Sequence, residues 1–151
     1  MASYFFETIT PTQALAFTLG DTLVFTTAGS KATDVTVSFN AAAGSDPATV
    51  GLTYNGRTVL FNTAIQTSAV ADIVFADGVS QLFIGGAGGD TVAAGSSAGD
   101  AFFGNTGNDS LIGSGGGDVI QGNGGNDSAN GGTGNDTLYG GQGDDVLAGG
   151  G

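Results

Sequence analysis

Residues 104–148 read GNTGNDSLI GSGGGDVIQ GNGGNDSAN GGTGNDTLY GGQGDDVLA, one nine-residue pattern written five times without a break. Every copy begins with glycine and has aspartate at its sixth position, and four of the five have a large apolar residue at the eighth. The pattern extends upstream through a ten-residue unit, 94–103, to GGAGGDTVA at 85–93. Because period and residue types recur together, this segment is a repeat architecture and not a disordered glycine-rich linker.

Glycine content and charge divide the chain at the same point. Of the 30 glycines, 24 follow Ile84, and residues 85–151 carry eight aspartates and no basic residue, which is a net charge of −8. Residues 1–84 carry six acidic residues together with Lys31 and Arg57. We therefore predict two domains, 1–84 and 85–151. Self-repulsion and a shortage of large apolar residues would keep the second domain unfolded unless a cation neutralised it.

Residues 85–148 follow the pattern G-G-x-G-x-D-x-U-x, where U is a large apolar residue. This pattern resembles the repeats-in-toxin (RTX, haemolysin-type) family of calcium-binding nonapeptide repeats. The resemblance implies a right-handed parallel β-roll with two nonapeptides per coil, in which each x-U-x is a short strand and each GGxGxD is a turn that holds calcium. Calcium prefers oxygen ligands, which carboxylates and backbone carbonyls supply. Since each repeat buries only one good apolar side chain, metal binding must contribute folding free energy.

The resemblance also implies where calcium binds. Alternate turns stack into two rows, with Asp90, Asp109, Asp127 and Asp145 in one and Asp100, Asp118 and Asp136 in the other. In the family, one turn supplies the carbonyls of its second and fourth residues with its aspartate, and the stacked turn supplies those of its first and third with its own. Besides these aspartates, the predicted metal-binding residues are Gly86, Gly88, Gly104, Asn105, Thr106, Gly107, Gly113, Ser114, Gly115, Gly116, Gly122, Asn123, Gly124, Gly125, Gly131, Gly132, Thr133, Gly134, Gly140 and Gln142. We expect about five or six calcium ions per chain.

Some residues qualify this assignment. Ala98 stands where glycine is expected, which weakens the prediction for the site of Asp100, and Ala129 is a small residue at a core position. Asp77 precedes the roll closely enough to cap its first metal site. Because Phe83 lies nine residues before Val92, the run from residue 81 to 84 is in register with the repeats.

Residues 1–84 alternate β-branched and aromatic runs with turn residues, which predicts an all-β, antiparallel, sandwich-like domain. The predicted strands are 4–9, 14–19, 22–27, 34–39, 49–54, 58–61, 73–75 and 81–84. The predicted hairpin turns are Gly20-Asp21, Asn55-Gly56 and Asp77-Gly78. The phenylalanines at positions 5, 6, 17, 25, 39, 61, 75 and 83 are expected in the core. For residues 63–71 the pattern allows either a short helix or a loop.

Composition excludes several classes of function. A net charge of −12 excludes nucleic acid as a partner, because phosphate contacts need clustered basic residues. The chain has no cysteine and no histidine, so the letters G-x-S-x-G at 95–99 are not a hydrolase motif, and we predict no enzymatic activity. No apolar run approaches the ~20 residues of a membrane span. The N terminus does not look like a cleaved signal peptide.

These features favour a secreted calcium-binding structural protein, extracellular or at the cell surface, exported without a cleaved N-terminal signal peptide. The family usually carries an export signal beyond the repeats, whereas this chain stops at Gly151 inside a new turn, so either it is cut short or its export differs. We expect calcium-driven, head-to-tail homo-oligomers, such as a filament, matrix or surface layer, because the last coil leaves strand edges near Leu138 and Leu147 unpaired. The alternative is a calcium-dependent folding or secretion module of a larger secreted adhesin or enzyme.

Overall fold

The computed structural model describes residues 2–18, 21–43, 47–67 and 73–151. The N-terminal part contains β1 (Ser3–Phe5), α1 (Pro11–Leu15), β2 (Thr22–Val24), a 3₁₀ helix (Ala32–Asp34), β3 (Thr36–Asn40), β4 (Thr49–Tyr54), β5 (Arg57–Asn62), a second 3₁₀ helix (Thr63–Thr67) and β6 (Ile73–Val74). Strands β3, β4 and β5 form an antiparallel sheet, and β1, β2 and β6 form a parallel one. No helix in the described part of the chain is long and apolar enough to cross a membrane.

The N-terminal prediction is confirmed in part. The Asn55-Gly56 turn joins β4 to β5 with positive φ at both residues, as predicted for a tight hairpin. The antiparallel prediction is wrong for β1, β2 and β6, which pair in parallel, so Asp21 does not close a hairpin before β2; Gly20 lies outside the described residues. The Asp77-Gly78 turn leads from β6 into a different sheet, so it is not a hairpin either.

The predicted strand over residues 14–19 is wrong, because a short helix, α1, occupies residues 11–15 and residue 19 lies outside the described part. The Thr10 hydroxyl accepts the backbone N–H of Gln13, and the Gln13 side chain accepts the N–H of Thr10, which is a capping box, with Pro11 at the first helical position. Of residues 63–71, the first five form the second 3₁₀ helix, and 68–71 lie outside the described part.

The predicted aromatic core of the N-terminal part is confirmed for most of its members. Among the phenylalanines, those at 6, 17, 25, 61 and 75 are buried, those at 39 and 83 are partly buried, and Phe5 is exposed. Phe25 stacks between Phe6 and Phe75 with ring centroids 4.6 and 4.7 Å away. All three rings directly follow strands of the parallel sheet, and Tyr54 of β4 meets Phe25 edge-on at 5.3 Å, which joins this sheet to the antiparallel one.

The repeats form a parallel β-roll of two four-stranded sheets. Its strands are β7 (Leu82–Ile84), β8 (Thr91–Val92), β9 (Ala101–Thr106), β10 (Ser110–Gly115), β11 (Val119–Gly124), β12 (Ser128–Thr133), β13 (Thr137–Gln142) and β14 (Val146–Ala148). One sheet has the order β7-β9-β11-β13 and the other has the order β8-β10-β12-β14. The chain therefore changes sheet at every repeat, which confirms the predicted two nonapeptides per coil.

The core of the roll is a single layer of side chains between the two sheets. Register places each core residue beside the one two repeats away, as Phe102 lies beside Phe83 and Ile120. Because side chains alternate along a strand, only the eighth residue of each repeat points into this layer. The buried members are Val92, Phe102, Leu111, Ile120 and Ala129, with Phe83 and Leu138 packed against them. The predicted core is confirmed for these residues, whereas Leu147 in the last strand is 46 % exposed.

The first coil joins the roll to the N-terminal domain. The residues of β7 and β9 that point away from the roll, Leu82, Ile84, Ala101 and Phe103, are buried in the N-terminal core. Strand β7 pairs with β9 in the same parallel register that β9 keeps with β11. The N-terminal part therefore covers the outer face of β7 and β9, and β7 belongs to the roll although it precedes residue 85.

Candidate metal centre

The turns of the roll depend on backbone conformations that aim carbonyl groups between neighbouring coils. The second residue of several turns has positive φ: 76° at Asn105, 84° at Ser114 and 77° at Asn123. The fourth residue is glycine with φ between 107° and 131° from Gly107 to Gly143. At Gly125 a side chain would collide with the carbonyl group of Gly107 in the stacked turn. The backbones of neighbouring turns therefore lie directly against each other.

The aspartates of these turns form two continuous ladders. In each step the backbone N–H of one aspartate donates to Oδ1 of the aspartate one coil further on, at 2.7–2.9 Å. One ladder runs through Asp90, Asp109, Asp127 and Asp145, and the other runs through Asp100, Asp118 and Asp136. The stacking of the predicted rows is therefore present in the structure.

The second carboxylate oxygen of four aspartates lacks any partner. Among the described residues, the buried Oδ2 atoms of Asp109, Asp118, Asp127 and Asp136 have no hydrogen-bond donor. A buried carboxylate oxygen without a partner is costly, because it has lost its hydration and gained nothing in exchange. Such an oxygen is the kind of ligand that a hard cation such as calcium takes. These four carboxylates would therefore be better satisfied beside a bound divalent cation than in a metal-free turn.

Backbone carbonyls must supply most of any such coordination shell. Within the described ranges, no group of three or more acidic side chains converges on one point. The turn of Asn105, Gly107 and Asp109 stacks on that of Gly122, Gly124 and Asp127, where the Gly107 N–H donates to the Gly124 carbonyl at 2.7 Å. Each carbonyl has two lone pairs, so this hydrogen bond leaves one for a cation.

The remaining predicted ligand residues occupy equivalent places along the two rows. In the first row, Gly86 lies beside Asn105 and Thr106, and Gly124 lies beside Gln142. In the second row, Ser114 pairs with Gly132 and Gly115 with Thr133. The structure therefore brings the sequence-predicted loops together; their ligation of calcium stays a prediction.

Two aspartates differ from the rest in a way that the repeat pattern does not reveal. Oδ2 of Asp90 accepts the N–H of Gly86 at 2.9 Å, and Oδ2 of Asp100 accepts the N–H of Ser96 at 2.6 Å. The Ser96 hydroxyl also donates to Oδ1 of Asp100 at 2.9 Å. The only signal for Ser96 in the sequence is its place in the single ten-residue unit.

Burial of the ladders favours protonated carboxyls when no metal is bound. Burial, with a smaller contribution from the like charges of Asp100 and Asp136, raises the pKa of Asp118 to about 6. Burial also raises the pKa of Asp109, with a smaller contribution from the charges of Asp127 and Asp90. Like charges spaced one strand apart therefore oppose folding of the metal-free roll at neutral pH.

We predict that the calcium-free roll is most stable in mild acid. A carboxyl whose pKa is raised on folding binds its proton more tightly in the folded state, so its contribution to stability is complete below pH ~4 and is lost as pH rises through about 6. In chelator, the circular dichroism signal of β structure should therefore be larger at about pH 5 than at about pH 7.5, where the metal-free roll is unfolded. In saturating calcium the two signals should differ little. A chelated sample with more β structure at the more alkaline pH would contradict the sign.

Comparison with known proteins bears on the repeats alone. A model of the RTX calcium-binding nonapeptide repeat (4 copies) matches residues 95–128 and 121–151. Comparison with curated proteins and with solved structures finds no match. The matched segments contain the turns of both aspartate ladders from residue 95 onward, together with the strands that they connect. Residues 95–151 therefore match the RTX calcium-binding nonapeptide repeat, which is a structural calcium-binding motif.

Proposed function

We propose that this chain is a secreted calcium-binding structural protein whose β-roll folds when calcium binds between the stacked turns. The observation that carries the proposal is the set of four buried Oδ2 atoms without a donor, two in each row. In the first row, Asp109 and Asp127 supply a pair of such oxygens, and Asp118 and Asp136 supply the pair in the second. We assign the chain a structural and not a catalytic role.

The composition of each site supports an extracellular setting. Each pair of stacked turns offers two carboxylates, and the other ligands would be carbonyls, as in the set of Asn105, Gly107 and Asp109 with Gly122, Gly124 and Asp127. A site with few carboxylates per ion binds calcium weakly, and extracellular calcium-binding modules have a Kd of about 10⁻⁴–10⁻³ M. Calcium would also offset the charge of −8 on residues 85–151. We therefore propose that folding occurs after export.

The test of calcium ligation is Asp127→Ala compared with Asp145→Ala. Asp127 is 3 % exposed and lies between Asp109 and Asp145 in its ladder, so it would contribute to two ions, whereas Asp145 lies in the last turn of the row. We expect the calcium midpoint of folding to rise roughly tenfold for Asp127→Ala, the loss of about 1.4 kcal/mol, and less for Asp145→Ala.

The matched control is Asp144→Ala, which removes the same charge beside Asp145 from an exposed position. Isothermal titration calorimetry gives the number of ions, and circular dichroism gives the midpoint. Equal midpoints for Asp127→Ala and Asp144→Ala would contradict ligation by the ladder and leave only a general effect of charge.

We further propose that calcium-loaded chains assemble head to tail. Strands β13 and β14 are edge strands of their sheets, and Tyr139, Val146 and Leu147 are 56 %, 67 % and 46 % exposed. Exposed strand edges beside apolar side chains recruit a further layer. The N-terminal domain of a second copy would cover this edge. The alternative is a module of a larger secreted adhesin or enzyme, in which additional chain covers it.

Sedimentation velocity at micromolar concentration distinguishes head-to-tail assembly from a module of a larger protein. Assembly predicts calcium-dependent polymers that chelator dissolves and that Leu147→Asp prevents, while Asn130→Asp, at an exposed position of the inner strand β12 in the same sheet, serves as the charge-matched control. A chain that binds calcium and stays monomeric at all calcium concentrations would contradict assembly and favour the module.

A further inference from the structure

We infer that calcium dependence begins only after the first coil: this coil, β7 and β8 together with the strand β9 that follows it, folds with the N-terminal part without metal and serves as the template for the coils that follow. This inference rests on the proposed function, because it divides the proposed sites into two classes. It concerns Asp90 and Asp100, which begin the two ladders, as distinct from the aspartates after them.

Asp100 has donors for both of its oxygens. Oδ1 accepts the backbone N–H of Gln81 at 2.7 Å and the Ser96 hydroxyl at 2.9 Å, and Oδ2 accepts the Ser96 N–H at 2.6 Å. The side chain is fully buried, with 0 % exposure. Asp118, one coil further on, is buried to nearly the same extent, but its Oδ2 has no donor. The same residue type in the same repeat position is therefore satisfied in the first coil and unsatisfied in the second.

The difference has a backbone cause. Oδ2 of Asp90 accepts the N–H of Gly86, and Oδ2 of Asp100 accepts that of Ser96, the second residue of its own turn in each case. Neither Gly86 nor Ser96 has positive φ, whereas the second residues of the next turns, Asn105 and Ser114, do. Positive φ turns the peptide group over, so in the later turns this N–H no longer reaches the carboxylate. In the first coil, backbone N–H groups thus contact the carboxylate oxygen that a cation would contact in the coils further along the chain.

The loop before β7 continues the second row at this metal-free start, although Oε1 of Gln81 is itself buried without a donor. Gln81 takes the place of the ladder aspartate: its N–H donates to Oδ1 of Asp100, and its carbonyl accepts the N–H of Ala101, as the Asp100 carbonyl accepts that of Val119. A neutral amide here means that the first stacked pair of the second row has one carboxylate instead of two. Asp77 binds the N–H groups of Val79 and Ser80 through Oδ1, so it stabilises its own turn.

Apolar burial sets the first coil apart in the same way. Phe103 of β9 is 2 % exposed in the N-terminal core, while Phe102 beside it is fully buried in the roll. Strand β13 has one inward residue, Leu138, and on its outer face Tyr139 is 56 % exposed. A strand that buries apolar side chains on both faces gains more from packing than one that buries a single face. The first coil therefore has a source of stability that the later coils lack.

Hydrogen exchange of the full chain, measured by mass spectrometry with and without calcium, tests the inference. In chelator, amides of β7 and β9 should be protected as strongly as those of β4 and β5, whereas amides of β10 to β14 should exchange freely. Calcium should then protect β10 to β14. If β10 to β14 gain no protection from calcium, the proposed function itself fails. If they do, but β7 and β9 exchange as fast as β11 in chelator, only the metal-free start is overturned.

Ser96→Ala sharpens the test, with Ser97→Ala as its matched control. Ser96 donates its hydroxyl to Asp100, and Ser97 is exposed. Loss of a hydrogen bond to a buried carboxylate should speed exchange of β7 and β9 in chelator by about tenfold or more for Ser96→Ala. The control should leave it unchanged. Equal exchange for the two variants in chelator would show that Ser96 does not hold the first coil and would overturn its role in the inference.

Discussion

Removal of calcium is expected to unfold the roll from β10 to β14 while the N-terminal sheets remain intact. Residues 85–151 carry eight aspartates and no basic residue, and the ladders bring these charges together with four buried oxygens that lack donors. One layer of apolar side chains cannot offset that cost together with the entropy of ordering the chain. A single site filled at a hundred times its Kd contributes about 2.7 kcal/mol, so loss of several sites is comparable with the whole stability of an ordinary domain.

Circular dichroism and hydrogen exchange provide the measurement. In chelator the β signal should fall to the part contributed by the N-terminal domain, and calcium should restore it. Magnesium is the control, because it requires smaller octahedral sites and gives up its waters reluctantly, and it should restore little. A chelated chain with an unchanged β signal and unchanged melting would contradict calcium-dependent folding.

Gly125→Ala is expected to be among the most damaging single substitutions in the loops. Gly125 has φ of 127°, and a Cβ atom there would collide with the carbonyl group of Gly107 in the stacked turn. The backbone strain costs roughly 1–3 kcal/mol and the forced separation of the turns a similar amount, so we expect a loss of about 3–5 kcal/mol in calcium. Because this turn lies between two others of its row, the shift should also weaken calcium binding on both sides of it.

Gly88→Ala is the matched control for this substitution. Gly88 occupies the same fourth position of its turn in the same row, but it does not have positive φ, and a Cβ atom there would have no other atom within 4 Å. Chemical denaturation in saturating calcium should show a change of less than about 0.5 kcal/mol for Gly88→Ala. Similar losses for the two variants would show that the stacking of the turns does not restrict the fourth position.

The repeat determined the architecture of the roll because every nine residues contain all the residue types that one strand and one turn need. Each nonapeptide carries its own turn glycines, its aspartate and its inward residue, so a step of two repeats predicts both the sheet pairing of Leu111 with Ala129 and the ladder of Asp109 and Asp127. Alternation along a strand needs no knowledge of distant residues. The sequence alone therefore predicts the two rows of aspartates and the core of the roll.

The N-terminal domain shows the opposite case. Strands β1, β2 and β6 have no repeat to set their register, and their parallel pairing joins residues as far apart as Leu23 and Ile73. Such pairing depends on burial in the shared core, which a local pattern does not encode. The spacing of Thr10 and Gln13 is that of a capping box and favours a helix, whereas the apolar residues after it favour a strand.

The sequence by itself determined which residues stack, while only the tertiary structure decided which aspartates are left without a partner. Asp100 and Asp118 occupy the same repeat position, yet Ser96 and Gln81 satisfy the first and no donor reaches Oδ2 of the second. The physical reason is that satisfaction of a buried carboxylate depends on the direction of a few N–H and O–H groups, which the backbone conformation of each turn and the packing of the first coil against the N-terminal core set together.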